Sequence, residues 1–162
     1  MTFRIGQGFD VHRFAAGRRC VLCGVDVPHE TGLLGHSDAD APVHALMDAI
    51  LGAVGAGDIG QLFPDRDPAW KDADSMDRLA RVLAYPRVAP YRVVNADVTI
   101  IAEAPKIAPY REKMTARLAS ALHCDAVSVK ATTTEKLGFT GRGEGLAASA
   151  VVLLEKTAPD IA

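Results

Sequence analysis

The sequence predicts an α+β domain: a mixed β-sheet with helices packed on one face, formed by residues 1–162 as a single unit. Three observations predict it. The chain has 162 residues, 49% of them hydrophobic, enough for one domain with a substantial core. Strand-like and helix-like stretches are interspersed along it. The β-to-α alternations are too few for a doubly wound parallel sheet.

The elements follow in order. Residues 3–12 (F-R-I-G-Q-G-F-D-V-H) alternate as a strand does, and Gly6 and Gly8 allow close backbone approach. Residues 19–28 read as two short strands around Gly24, ended by Pro28. Residues 29–39 are loop-like. A helix is expected over 40–55, with Asp40 as N-cap and Pro42 in its first turn. Val43, Leu46, Met47, Ile50, Leu51 and Val54 recur at helical spacing and define its buried face. The stretch 58–74 carries prolines and many aspartates and reads as a mobile, functional surface loop. Ser75 is the expected cap of a helix over 76–85, stopped by Pro86. Residues 92–102 are strand-like, Pro109 opens a helix to about His123, and 126–131 and 146–155 are β-branched strands.

Bulk chemistry narrows the function. A net charge of −2 with 23% charged residues gives no basic surface for nucleic acid or anionic membrane. No apolar run reaches the roughly 18 residues of a membrane span. The first residues lack a signal-peptide core, and the cysteines are three, Cys20, Cys23 and Cys124, so a reducing, cytoplasmic setting is expected. Cys20 and Cys23 have half the spacing of a zinc ribbon, but no second C-x-x-C exists, so they read as small apolar strand residues.

Two constellations carry chemistry. Asp10 and His12 sit at i and i+2 of a strand and project to one face. His44 lies near the start of the following helix. If that helix packs beside the strand, one carboxylate and two imidazoles converge with a fourth position free, the composition of a catalytic zinc site. Iron or manganese takes similar ligands. The plainer alternative is an Asp and a His on an ordinary strand surface. Asp48, one helical turn after His44, is placed to accept the other ring N–H. His36 can bind a phosphate oxygen or shuttle a proton, whereas Ser37 and Asp38 can equally just turn the chain.

The second constellation is A-T-T-T-E-K-L-G-F-T-G-R-G-E-G at 131–145. Its threonines offer donors, Glu135 is a hard carboxylate suited to Mg²⁺ or Mn²⁺, Lys136 and Arg142 add positive charge, and the glycines allow tight turns. It lacks the order of a Walker A loop. A threonine strand followed by a glycine turn is the competing reading. In Ala102-Glu103-Ala104-Pro105-Lys106, main-chain groups can read a base edge and Lys106 can reach a phosphate, unless the stretch is a plain connector.

Taken together, R-I-G-Q-G-F-D-V-H, G-L-L-G-H-S-D-A-D, H-A-L-M-D-A-I-L-G, G-D-I-G-Q-L-F-P-D-R-D-P, D-V-T-I-I-A-E-A-P-K and V-K-A-T-T-T-E-K-L-G-F-T-G-R-G-E-G resemble the 2-C-methyl-D-erythritol 2,4-cyclodiphosphate synthases of the non-mevalonate isoprenoid pathway. The resemblance spans residue 4 to about 155. Gln7, where histidine is common, and Ala39, where glycine is common, depart from the pattern.

The resemblance implies a lyase that cyclises 4-diphosphocytidyl-2-C-methyl-D-erythritol 2-phosphate and releases CMP. It implies a homotrimer around a central sheet-lined cavity, with active sites between subunits. One zinc per site would be held by Asp10, His12 and His44, and Mg²⁺ or Mn²⁺ by Glu135 with the substrate phosphates. His36 and Ser37 would hold the 2-phosphate, and Thr133 would stabilise the transition state. Asp58, Ile59, Gly60, Phe63 and Asp65 would bind the methylerythritol part. Ala102, Pro105, Lys106 and Thr132 would frame the cytidine diphosphate. Phe9, Phe139, Arg142 and Glu144 resemble the lining of an axial cavity that can hold an isoprenoid diphosphate. The rival readings are a metal-dependent phosphoesterase, which would release inorganic phosphate, and a non-catalytic nucleotide- or isoprenoid-binding module.

Overall fold

Alternation at the N-terminus resolves into one long strand, β1 (Phe3–Ala15). The structure, a computed structural model, describes residues 2–64 and 66–157. A small hairpin follows, β2 (Val21–Leu22) and β3 (Val25–Asp26), turned at Cys23 and Gly24, both at positive φ. Next come β4 (Gly32–Leu33), α1 (Ala41–Ala53), α2 (Ile59–Leu62), α3 (Ser75–Leu83) and β5 (Tyr91–Ile101). The chain continues through α4 (Arg111–Leu122), β6 (Val127–Thr132), α5 (Gly138–Gly141) and β7 (Gly145–Lys156).

Five strands form one sheet in the order β4-β1-β7-β5-β6. β5 and β6 are parallel, joined through α4, and the other pairings are antiparallel. The sheet is therefore mixed, and the α+β expectation holds. The helices lie on one face. α1 packs across β1 and β7, and α4 packs against β6.

Gly6 and Gly8 set that packing. A Cβ on either would lie 1.8 or 1.9 Å from the carbonyl oxygens of Ala49 and Ala45 in α1. Only hydrogen at these positions lets the helix backbone rest on the strand. On the opposite face, Phe3, Ile5, Phe9 and Val11 of β1 and Val151 of β7 stay exposed, Ile5 at 72%. Beneath α1 one continuous core gathers Leu46, Ile50, Val98, Ile100, Leu146 and Val152.

Four local expectations are revised. The 29–39 stretch contains β4, paired with Phe14 and Ala15. The 58–74 stretch holds α2 and a 3₁₀ turn, Pro68–Trp70, because Asp58 and Asp67 cap them. Its Phe63 is buried, edge-on to Trp70 and under the Arg78 guanidinium, which anchors the segment. The helix after it starts at Ser75 rather than 76. Its cap is Asp74, whose carboxylate accepts the Met76 N–H at 2.7 Å, and the Ser75 side chain turns inward. A 3₁₀ turn, Ala108–Tyr110, precedes α4, which ends at His123 in the left-handed conformation. Asp40 caps α1 as expected and also accepts the N–H groups of Cys23 and Gly24, tying the hairpin to the helix.

Candidate active site

Asp10 and His12 share the β1 face on which Gly6 and Gly8 seat α1. The same close approach delivers His44, in the first turn of α1, to them. Asp10 Oδ2 is 3.0 Å from His12 Nε2 and 3.1 Å from His44 Nδ1. The two imidazole nitrogens are 3.1 Å apart. These three side chains form a group able to hold a metal ion among the described residues.

The donor set fits such an ion. Ligand bonds of about 2.1 Å in a tetrahedron put neighbouring donor atoms about 3.4 Å apart, close to the edges seen here. The outer nitrogens are already engaged. His12 Nδ1 lies 2.8 Å from the Leu34 carbonyl, which only accepts, so this nitrogen carries a proton and Nε2 is the nitrogen turned to the cluster. His44 Nε2 is 3.0 Å from Ser75 Oγ and 3.4 Å from Ser37 Oγ. Burial opposes ionisation of Asp10, but hydrogen bonds and charge from His12 and His44 outweigh it and hold the carboxyl well below its usual range. The group is thus a carboxylate facing two imidazoles.

Asp48 does not accept from His44. Its Oδ1 takes the Ile59 N–H at 2.8 Å, because His44 spends Nδ1 on the cluster and turns Nε2 toward α3. Asp48 instead ties the N-terminus of α2, and so Asp58, Ile59 and Gly60, to α1. Burial raises its pKa. Neither Ser75, expected only as a helix cap, nor Leu34 is a site residue that the sequence predicts. Ser75 is 31 positions from His44 and has the signature of an ordinary helix cap.

The His36–Ser37 loop borders the cluster. His36 Nε2 is buried with no hydrogen-bond partner among the described residues, as expected of a group that waits for a polar ligand. Ser37 is buried and accepts the Ala39 N–H at 3.3 Å. Arg18 donates to the carbonyls of Leu33, Gly35 and Ser37 and so fixes the loop. Asp65 lies outside the described residues.

The second constellation forms at the far edge. Thr133 Oγ1 donates to Glu135 Oε1 at 2.8 Å, and Glu135 and Lys136 both adopt positive φ. The Lys136 ammonium is paired with Glu103 at 2.8 Å and its backbone N–H bonds the same carboxylate, so it buttresses the turn rather than standing ready for a phosphate. Arg142 pairs with Glu144 at 2.6 Å on the surface. The Ala102 N–H donates to the Thr132 carbonyl at 3.0 Å, which joins Ala102, Pro105 and Lys106 to Thr132 at one sheet end. Lys106 is exposed, Phe9 is exposed and Phe139 is half-buried.

The two constellations share one end of the sheet but not one spot. Asp10 aligns with Ala148, Ala148 with Ile100, and Ile100 with Ala131. Three strand spacings of about 4.8 Å therefore separate them by about 14 Å within a chain. No helix of the described residues is long and apolar enough to cross a membrane.

Comparison with known proteins matches this arrangement. The family model described as the YgbB family matches residues 3–155. A 2-C-methyl-D-erythritol 2,4-cyclodiphosphate synthase of Geobacillus kaustophilus is 63% identical over 157 residues, covering 96% of this chain and 99% of that protein. Among solved structures, the bifunctional IspDF of Campylobacter jejuni superposes with a TM-score of 0.91 at 42% identity, over 96% of this chain and 43% of that one. A 2-C-methyl-D-erythritol 2,4-cyclodiphosphate synthase in its CDP-bound form superposes with a TM-score of 0.85 at 37% identity, over 94% of this chain and all of that one (100%).

Proposed function

This chain belongs to the YgbB family, and from that premise we propose how its residues 1–162 work as one cyclodiphosphate synthase domain. It is an enzyme, a cyclising lyase of isoprenoid precursor synthesis. It converts 4-diphosphocytidyl-2-C-methyl-D-erythritol 2-phosphate to 2-C-methyl-D-erythritol 2,4-cyclodiphosphate and CMP. A 2-phosphate oxygen forms a bond to the β-phosphorus. The bond from that phosphorus to the bridging oxygen breaks, and CMP leaves with the electron pair. The nucleophile is within the substrate, so the protein needs to fold the substrate back on itself and balance its charge.

The observation that carries the site reading is the convergence of Asp10, His12 and His44, with Leu34 and Ser75 beside their outer ring nitrogens. These three residues hold zinc, and Glu135 holds Mg²⁺ or Mn²⁺ with the substrate phosphates; the cations supply electrostatic stabilisation of the diphosphate. His36, through its unpaired Nε2, and Ser37 take the 2-phosphate. Thr133 orients the Glu135 carboxylate and faces the reacting phosphate. The helix N-terminus at Asp58, Ile59 and Gly60, with Phe63 and Asp65, receives the methylerythritol part. Ala102, Pro105, Lys106 and Thr132 frame the cytidine diphosphate, a role supported by the CDP-bound relative.

Two constellations about 14 Å apart in one chain are best combined by a second copy that brings its β6 edge to the metal cluster. The exposed apolar sheet face of Phe3, Ile5, Phe9, Val11 and Val151 supports a homotrimer closed around that face. Phe9 and Phe139, with Arg142 and Glu144, then line a central cavity suited to an isoprenoid diphosphate. Three unpaired cysteines support a cytoplasmic setting.

The test is incubation of the purified protein with the cytidylyl substrate, with and without chelator, followed by mass analysis. CMP with the cyclic diphosphate, lost on chelation, is expected. Inorganic phosphate without a cyclic product would instead favour a phosphoesterase.

A further inference from the structure

The helix α2 has four residues and none of them is buried; Ile59 and Leu62 only lean on the core. A helix that short is not held by its own turn, so its placement comes from its ends. At its start the Ile59 N–H donates to Asp48 of α1 at 2.8 Å. At its far end Phe63 is buried, and the Arg78 guanidinium of α3 covers its ring at 4.7 Å from the centroid. One turn further along α3, Arg81 stands over the Trp70 ring at 5.3 Å. The two rings meet edge to face at 4.8 Å.

Arg78 is itself buried, and its Nη1 lies 3.4 Å from His44 Nε2. One planar cation therefore sits between the Phe63 ring and a histidine of the metal cluster. The other end of the same segment is tied down as well. The Asp72 N–H donates to the His36 carbonyl at 2.8 Å, and the Asp38 N–H to the Ala73 carbonyl at 3.3 Å. The segment thus runs from the residues assigned to the methylerythritol part to the loop assigned to the 2-phosphate. In an intramolecular attack the separation of those two subsites matters, since a displacement of about 1 Å can cost about 100-fold in rate.

We propose that Arg78 is a positioning residue for the cyclisation: seated between Phe63 and His44, it fixes the methylerythritol subsite relative to the metal cluster. Arg81 reinforces it by holding Trp70, the next aromatic along the segment. Arg78 acts through Phe63 and not on the reacting atoms. A guanidinium suits this place because its flat face stacks on a ring while its edge stays available for polar neighbours. The inference rests on the reading of Asp58, Ile59, Gly60 and Phe63 as a substrate subsite, so its test reads the segment separately from turnover.

Trp70 is the single tryptophan of the chain, so its emission reports on this segment alone. The first measurement is acrylamide quenching of Trp70 in the substrate-free protein. Quenching is expected to rise in Arg78→Met, which fills the space without the charge, and in Arg81→Ala, which alters only an exposed side chain. The second measurement is turnover with zinc and Mg²⁺ in excess. Arg78→Met is expected to lose about tenfold or more in kcat for the cyclic product. Its CDP affinity by calorimetry should stay within about threefold of wild type, because the cytidine-framing residues lie toward the β6 edge of the sheet. Arg78→Lys, which keeps a cation for the Phe63 ring, should recover part of the rate. Wild-type kcat in Arg78→Met, or a loss of CDP affinity as large as the loss of kcat, overturns the positioning role. Should Arg78→Met fail to fold, Arg78→Lys and Arg81→Ala carry the test, and wild-type kcat in the first or wild-type quenching in the second overturns the inference. Wild-type protein that forms no cyclic product overturns the proposed function itself, and Trp70 quenching still decides whether the two arginines hold the segment.

Discussion

Replacing Gly8 with alanine tests how the fold builds the site. The new Cβ would meet the Ala45 carbonyl oxygen at 1.9 Å, where ordinary contact begins near 3.4 Å, so strand and helix must part by about 1.5 Å. His44 rides on the same turn of α1 as Ala45. If the helix withdraws by that amount, the 3.1 Å separation of His44 Nδ1 from Asp10 Oδ2 opens to as much as about 4.6 Å, too wide for one ion to bridge. Overpacking of this kind costs about 1–3 kcal/mol of stability, and here more, because both partners are backbone. The same helix offers an internal control. A Cβ at Gly52 would meet only the Gln7 carbonyl oxygen, at 4.0 Å, so Gly52→Ala should stabilise by about 0.5–1 kcal/mol. Urea unfolding gives the stabilities, and chelator competition on the folded fraction gives the zinc affinity. Gly8→Ala is expected to lose at least 1 kcal/mol and about tenfold or more in zinc affinity, with Gly52→Ala unchanged in the latter. A Gly8→Ala protein that holds zinc as wild type does, at wild-type stability, would refute the claim that backbone contact positions His44.

Other outcomes follow from the site. His44→Ala should abolish CMP release yet bind CDP within about threefold of wild type by calorimetry, because His44 belongs to the metal cluster and not to the cytidine end. Lys106→Ala should weaken CDP binding by about tenfold, as expected for an exposed cation contributing about 1.4 kcal/mol, and equal affinity would remove Lys106 from the phosphate contacts. Asp40 supplies a pH dependence. Burial, against three backbone hydrogen bonds, raises its pKa from 3.8 to about 7. Between those values the native state holds a proton that the unfolded chain releases, so this group's contribution makes stability fall as pH rises and level off above about 7. Urea midpoints of metal-free protein at about pH 5 and pH 8 should show that slope in wild type and a flatter one in Asp40→Asn.

Much of this molecule was legible in local patterns. Alternation marked β1, the 3.6-residue period and the Asp40-x-Pro42 start marked α1, and the i, i+2 spacing put Asp10 and His12 on one face. Such features depend on backbone geometry over a few residues, so the chain states them directly. The His36 and Glu135 loops stood out by residue type alone, as dense polar groups with a plain turn as the competing reading. What could not be read were partnerships between distant segments. Asp48 had the right helical spacing to serve His44, yet it accepts the Ile59 N–H at the start of α2. Ser75 looked like a helix cap, yet Asp74 caps and Ser75 reaches His44. Lys136 counted as added positive charge, yet Glu103 pairs with it. The sequence by itself determined the donor types, the elements that carry them and the family to which they belong. Only the tertiary structure decided which donors meet, because contacts across more than thirty residues depend on the angle and separation of packed elements. Here two glycine hydrogens set that separation, by letting α1 lie directly on β1.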